Sequence, residues 1–439
     1  MSVVEEIIYI YISFKERNLK TNLFKKELDK LSLGKFIYYL YLPIYLFKLI
    51  KDFLLFRNRF FKTKAEAKIV SQKVWLMIGS KNNRDSLEFI HHNLTDAVFL
   101  ATNAQSAQLN HYPELCLQNR LCYLHKFPLN FIQLYKKLKH RSWSYINILF
   151  KTNGMYEVAL QALTLYRPKA LIFANDHNPL MRAFLLATKQ KGIPTIYIQH
   201  AAVSEYFPPL SFDLSLLEGQ DTLEKYKKCG PITGKVAFIG MPKFDDYVFL
   251  RNNQQQVNRI AVCANLFDRK DLVEQLVNQL IQQFPQLQIS FRPHPRDVRS
   301  FSFRHPPILS DPTQENIFDF LKNQDLIIAA NTSTHLEATL LNIKSIYYKL
   351  FGNENKIKED YYGFVAQNMI EKVNDFETLS KVINQNRIQK ENVYQKASYY
   401  NAVIDTPYEG KSQELAIKYI KELLDSDTPP PILSKPHTV

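Results

Sequence analysis

Four short polar runs stand where apolar runs end. Asn175-Asp176-His177 follows ALIFA (170–174), and Gln199-His200-Ala201 follows TIYI (195–198). Arg292-Pro293-His294-Pro295-Arg296 follows ISF (289–291), and Asn331-Thr332-Ser333-Thr334 follows LIIAA (326–330). Two prolines hold the His294 imidazole to a narrow range of directions. Flanked by Arg292 and Arg296, it suits donation to an anionic leaving group or general acid work. The run 331–334 opens a predicted helix, whose unpaired N–H groups and small hydroxyls suit a phosphate. Thr334-His335-Leu336-Glu337 also fits a capping box, with Glu337 reaching back to Thr334. Asp176, His177 and His200 are candidates for a base that deprotonates an acceptor hydroxyl, and the sequence does not rank them. A rival role for Asp176 is N-cap of the helix that starts near Pro179.

The elements that must position these groups alternate in a regular rhythm. Apolar runs at 74–78, 97–100, 121–124, 170–174, 195–198, 214–217 and 236–239 read as buried parallel strands. A helical pattern at 179–191 is stopped by Gly192. A polar stretch, 251–258 (RNNQQQVN), reads as an interdomain linker or exposed loop. The rhythm restarts with strands at 260–264, 287–291, 326–330 and 344–348 and helices at 271–284, 334–341, 376–384 and 414–424. Strand and helix alternating in this way is the doubly wound α/β signature, in which ligands sit beyond the carboxyl ends of the strands. The expected domains are 1–68, a basic, aromatic helical extension; 69–250, a Rossmann-like acceptor domain; 258–425, a Rossmann-like donor domain facing it across a cleft; and 426–439, a Pro-rich tail.

Composition narrows the classes. The chain has 439 residues, 46% of them hydrophobic, enough for two packed cores. Four scattered cysteines, Cys116, Cys122, Cys229 and Cys263, give neither a zinc pattern nor a disulfide framework. The formal charge is +14, and residues 1–68 hold 14 Lys/Arg against 7 Asp/Glu. The charge-free run FIYYLYLPIYLF (36–47) is shorter than the ~20 residues of a membrane span, contains Pro43 and is flanked by lysines. Such a segment suits a membrane interface, or else a packed helix pair. Nucleic-acid signatures are absent, so an anionic membrane face and phosphorylated substrates are the expected partners. There is no GxxxxGK[ST] loop, GxSxG elbow or HExxH, and the single DxD spacing, Asp425-Ser426-Asp427, lies at the tail. No metal and no tightly bound cofactor are expected.

The segments IPTIYIQHA (193–201), GKVAFIGMPKFDDY (234–247), FRPHPRD (291–297), NTSTHLEATLLN (331–342) and YEGKS (408–412) resemble bacterial capsule and cell-surface transferases with a His-Pro motif. These are the CMP-sugar transferases and the CDP-glycerol polyol-phosphate transferases. The resemblance implies a GT-B fold and a nucleotide-sugar co-substrate. It further implies a donor grip formed by Arg292, His294, Pro295, Asn331, Thr332, Ser333 and Thr334, with Glu337 toward the ribose. The family's Gln-His-Gly reads Gln199-His200-Ala201 here, and the added methyl restricts backbone approach to a ligand.

The reading is therefore a metal-independent glycosyltransferase, peripheral at the cytoplasmic membrane face. It would move a sugar from a nucleotide donor, CMP-linked by preference, to a glycan or glycolipid in surface polysaccharide synthesis. The alternatives are a CDP-polyol phosphotransferase, a UDP-sugar epimerase of similar fold and a non-enzymatic assembly protein.

Overall fold

The computed structural model describes Glu6 and residues 60–139, 146–175, 177–203, 205, 207–352 and 358–425. The run 36–47, most of the 1–68 extension, Asp176 and the tail 426–439 lie outside the described residues. The chain divides into two compact units. The first runs to Leu217 and takes in Thr222–Phe238 and the chain from Gln413; the second is Glu218–Asp221 with Ile239–Ser412. The chain thus passes between the units at 217/218, 221/222, 238/239 and 412/413.

Unit 1 is built on β1 (Val74–Ile78), β2 (Ala97–Ala101), β3 (Ala170–Phe173), β4 (Thr195–Ile198), β5 (Ser211–Leu217) and β6 (Thr233–Phe238). They form one parallel sheet in the order β2-β1-β3-β4-β5-β6. Every residue of β1, β3 and β4 is buried, because helices cover both faces of a parallel sheet and remove the polar alternation of a half-exposed strand. The helix Pro179–Lys191 shows how local chemistry sets an element. Asn178 caps it by accepting from the Met181 N–H at 2.9 Å, Pro179 takes the first turn, and Gly192 ends it at φ +65°. The N-cap role open to Asp176 therefore falls to Asn178. Trp75 and Phe184 pack edge to face at 6.3 Å, and the indole N–H of Trp75 donates to the Val70 carbonyl at 2.7 Å.

The run 121–124 is not a strand. It lies in a 3₁₀ helix, Leu117–Lys126, in which Leu121 is buried and Cys122 exposed. Four apolar residues carry no periodicity that separates strand from helix.

Unit 2 carries β7 (Arg259–Cys263), β8 (Gln288–Arg292), β9 (Ile308–Leu309), β10 (Leu326–Ala329), β11 (Lys344–Tyr348) and β12 (Glu371–Val373). This second parallel sheet has the order β12-β11-β10-β7-β8-β9. Its two faces feed separate cores. Ile260, Val262, Leu326 and Ile328 pack on one side with Leu276, Leu280 and Phe284. Ala261, Cys263, Ile327 and Ala329 pack on the other with Phe318, Phe320 and Leu340. This alternation is the two-residue period of a strand, hidden in the sequence because both faces are apolar. In the stretch 251–258, Asn253–Gln256 and Asn258 are exposed, while Asn252 and Val257 are buried. Among the described residues no helix is long and apolar enough to cross a membrane.

Candidate functional site

In unit 2, β7 lies between β10 and β8, so the loops leaving these three strands emerge side by side. The His294 run and the Asn331–Thr334 run therefore share one sheet edge, one strand apart, which is about 10 Å at the usual spacing. Asn265, just past β7, bridges them. Its Nδ2 donates to the Asn331 carbonyl at 2.7 Å, and its own carbonyl accepts from Arg299 Nη2 at 3.0 Å. Arg299 is paired with Asp297, whose backbone N–H donates to the His294 carbonyl at 2.8 Å. Asp268 closes the loop by accepting from the Asn265 N–H at 2.6 Å, and burial pushes its pKa up to about 7.

The His294 imidazole is oriented by its own loop. Nδ1 accepts the Arg296 backbone N–H at 3.1 Å, so the ring proton of the neutral form sits on Nε2. Burial and the nearby Arg296 both lower its pKa, outweighing Asp297. At neutral pH the side chain is a neutral ring offering one N–H. That suits a hydrogen bond to an anion better than proton delivery as a general acid. Arg292 is turned inward instead. Its guanidinium bonds to Ser310 Oγ and, at 2.7 Å, to the Glu315 carbonyl, and it lies 5.0 Å from the centre of the Phe320 ring. Burial holds its pKa below the usual value. The expected donor contact by Arg292 is thus replaced by a structural one, while Pro295 and Arg296 are exposed.

The Asn331–Thr334 turn is fixed by its side chains. Asn331 donates to the Lys358 carbonyl and accepts the Tyr361 N–H, both at 2.9 Å. Thr332 Oγ1 accepts the Thr334 N–H at 3.2 Å and bonds to Thr334 Oγ1 at 3.0 Å. Ser333, exposed, stands at the helix boundary with no side-chain cap. The capping box is not formed. Glu337 bonds to Lys243 Nζ at 2.6 Å, since an ammonium outcompetes a neutral amide for a buried carboxylate. His335 is buried below the turn, with Nε2 on the Ala330 carbonyl at 2.7 Å and Nδ1 on Ser345 Oγ at 2.6 Å. Burial pushes its pKa down to about 4, so it is a neutral brace for the end of β10.

Sequence reasoning assigns no role to Lys243, Glu218 or Asn265. Lys243 is 47% accessible at its side chain and lies 5.8 Å from the Phe318 ring centre. Burial would lower its pKa, but Glu337 and Glu218 together leave it above the ordinary value. Glu218, just past β5, is buried; burial pushes its pKa up to about 7, with Lys243 opposing and Glu337 and Asp221 adding. The strand-end rule would have found Asn265 and Glu218, each of which directly follows an apolar run. Lys243 had no comparable signal.

In unit 1, β3 and β4 are neighbours, which brings His177 and His200 to one carboxyl edge. Asn175 accepts the His177 N–H at 3.0 Å and its amide faces His177 Nε2 at 3.1 Å, while the ring lies 5.1 Å from Phe207. His200 is half-buried next to Gln199, whose amide donates to the Ala201 carbonyl at 3.2 Å. Among the described residues no group of three or more His, Cys, Asp or Glu is arranged to hold a metal ion.

No family model matches the sequence, and no curated protein matches it. Solved structures do. The chain is similar to Staphylococcus aureus MnaA in complex with UDP, at 13% identity and a TM-score of 0.50, covering 81% of this chain and 97% of that one. It is similar to CalG4, the calicheamicin glycosyltransferase, at 8% identity and a TM-score of 0.50, covering 82% and 99%. A UDP-GlcNAc 2-epimerase from Methanocaldococcus jannaschii aligns at 12% identity and a TM-score of 0.49, covering 80% and 99%. The fold is GT-B: two Rossmann-like α/β units, each on a parallel sheet.

Proposed function

We propose that this chain acts on a nucleotide-activated sugar, and that unit 2 holds the nucleotide's phosphates between His294 and the Asn331–Thr334 turn. One observation carries this reading: the two motifs stand at a single sheet edge, cross-tied through Asn265. The Nε2–H of His294, the exposed Ser333 hydroxyl and the backbone of the turn offer donors to an anion without a metal. Glu337, held by Lys243, faces the ribose in this reading.

Acceptor-independent rearrangement of a UDP-sugar, as by an epimerase, has more support than transfer from a CMP donor. MnaA, of the same fold, was solved with UDP, which supports uridine diphosphate as the ligand. Glu218 and Glu337 also gather near Lys243 in the nucleotide unit, with Asp221 acting on Glu218. Epimerisation removes and returns a proton at a sugar carbon, and a carboxyl group that titrates near 7 suits both steps. Sugar transfer to a glycan or glycolipid hydroxyl is the second reading. It is favoured by the paired placement of His177 and His200 on unit 1, where they could serve as base. Transfer of a polyol phosphate from a CDP donor would use the same phosphate grip. A role in surface polysaccharide synthesis at the inner membrane face rests on the His-Pro resemblance and the basic N-terminal segment.

The test is proton NMR of UDP-sugars and CMP-sugars incubated with the protein, with and without a glycan acceptor. An epimer of a UDP-sugar formed without acceptor is the expected result. Nucleotide release only in the presence of acceptor would shift the conclusion to transfer. No binding of UDP, CMP or CDP by calorimetry would sink both. Added EDTA should leave turnover unchanged; loss restored by magnesium contradicts the metal-free grip.

A further inference from the structure

The helix Phe127–Leu138 of unit 1 has an inward face with Asn130 and Leu134 buried. Asn130 is fixed there by its bond to Asn153 Oδ1 at 2.8 Å. Its outward face is apolar where a soluble helix would be polar. Leu129 is 59% exposed, Ile132 50% and Tyr135 44%, three side chains at i, i+3 and i+6. Lys136 and Lys139 are exposed at the end of that stripe. The charge of the surrounding sequence is one-sided: between Glu114 and Glu157 it holds seven Lys/Arg and no Asp or Glu. That single stretch supplies an excess equal to half of the chain's formal +14. Lys126, at the start of the helix, is paired with Glu157 at 2.7 Å and belongs to the fold rather than to the patch.

We propose that this outward face is a docking surface for an anionic lipid bilayer. An apolar stripe rimmed by lysines on a helix of 12 residues lies flat in the headgroup region, its side chains entering the acyl boundary and its ammonium groups meeting lipid phosphates. A nucleic acid would satisfy the lysines but has no counterpart for Leu129 and Ile132, so the stripe favours lipid. The surface is independent of the reaction assigned to unit 2 and distinct in sequence from the N-terminal segment 1–59.

The experiment is flotation of the full chain with vesicles of phosphatidylglycerol and phosphatidylcholine at 3:7, against pure phosphatidylcholine and against single-stranded RNA. The parent should partition at least ~10-fold more strongly onto the anionic vesicles. Leu129→Glu with Ile132→Glu should weaken that partition at least ~10-fold. So should Lys136→Glu with Lys139→Glu, while Lys136→Arg with Lys139→Arg keeps it. Because all four side chains are exposed, melting temperatures should stay at the parent value. Undiminished vesicle binding by either glutamate double variant overturns the proposal. In particular, loss of binding on reversing the two lysines, with normal binding after Leu129→Glu and Ile132→Glu, is plain electrostatic adsorption. Loss of RNA binding in the variants with vesicle binding intact would assign the patch to nucleic acid instead.

Discussion

The two edges of the second sheet are both rich in polar side chains, yet they are wired in opposite ways. At the amino edge Asp325 is buried and accepts the backbone N–H groups of Asn258 and Arg259, the Arg259 guanidinium and the Asn252 amide. Asn252 in turn receives Lys390 Nζ and the Asn342 amide, and Asn342 Oδ1 takes the Val393 N–H at 2.8 Å. Apart from Gln324 Oε1, which is buried beside Asp325 without a partner among the described residues, donors and acceptors in this cluster are matched within the protein. At the carboxyl edge the ties run underneath, through Asn265, Arg299 and His335. Among the described residues none accepts the His294 Nε2–H, and Ser333 is left exposed at the helix tip. A closed network stabilises a fold; a braced edge with donors turned outward is prepared for a ligand.

The comparison breaks most sharply at Asp325. Removing a buried carboxylate with several donors strands them all, so Asp325→Ala should cost about 3–5 kcal/mol in chemical denaturation, with binding of nucleotide by the remaining folded protein intact. A loss under about 1 kcal/mol would mean that the amino edge is not a stabilising network. Burial opposes ionisation of Asp325, but its bonds to Arg259, Asn252 and Asn258 hold its pKa below the usual carboxylate range. Its contribution is therefore present above the unfolded pKa and lost as pH falls through the folded one.

His294→Ala should do the reverse, lowering turnover about 100-fold with little change in melting temperature. Turnover within about twofold of the parent would remove His294 from the grip. Between these extremes stands Lys243→Met, which leaves Glu337 unpaired and should weaken nucleotide binding about tenfold by calorimetry. Lys243→Arg should restore most of it, and equal affinity in all three proteins would detach the Lys243–Glu337 pair from the ligand.

The finest distinction lies in pH. Glu218 titrates near 7 in the folded chain, above its unfolded value, so the folded state binds the extra proton. Stability should fall as pH rises from about 4.5 to about 7 and level off beyond. Asp268, also raised to about 7, titrates in the same window, so Glu218→Gln should reduce that slope in melting curves without abolishing it. An unchanged slope would show that Glu218 is not the group titrating there, and would weaken its assignment as a proton carrier.

The sequence by itself determined the α/β rhythm. Nearly every strand was legible because burial on both faces demands an unbroken apolar run, and Asn178, Pro179 and Gly192 punctuate their helix through purely local chemistry. It also drew attention to His294 and the Asn331–Thr334 turn, since polar residues at the ends of buried strands are conspicuous. Tertiary structure decided the rest, because partner choice depends on groups distant in sequence. Glu337 belongs to Lys243 rather than to Thr334, Arg292 turns toward Ser310 and Glu315, and 121–124 forms part of a 3₁₀ helix rather than a strand. Only strand order puts β7 between β8 and β10, which is what makes Asn265 the bridge between two motifs that the sequence could name but not join.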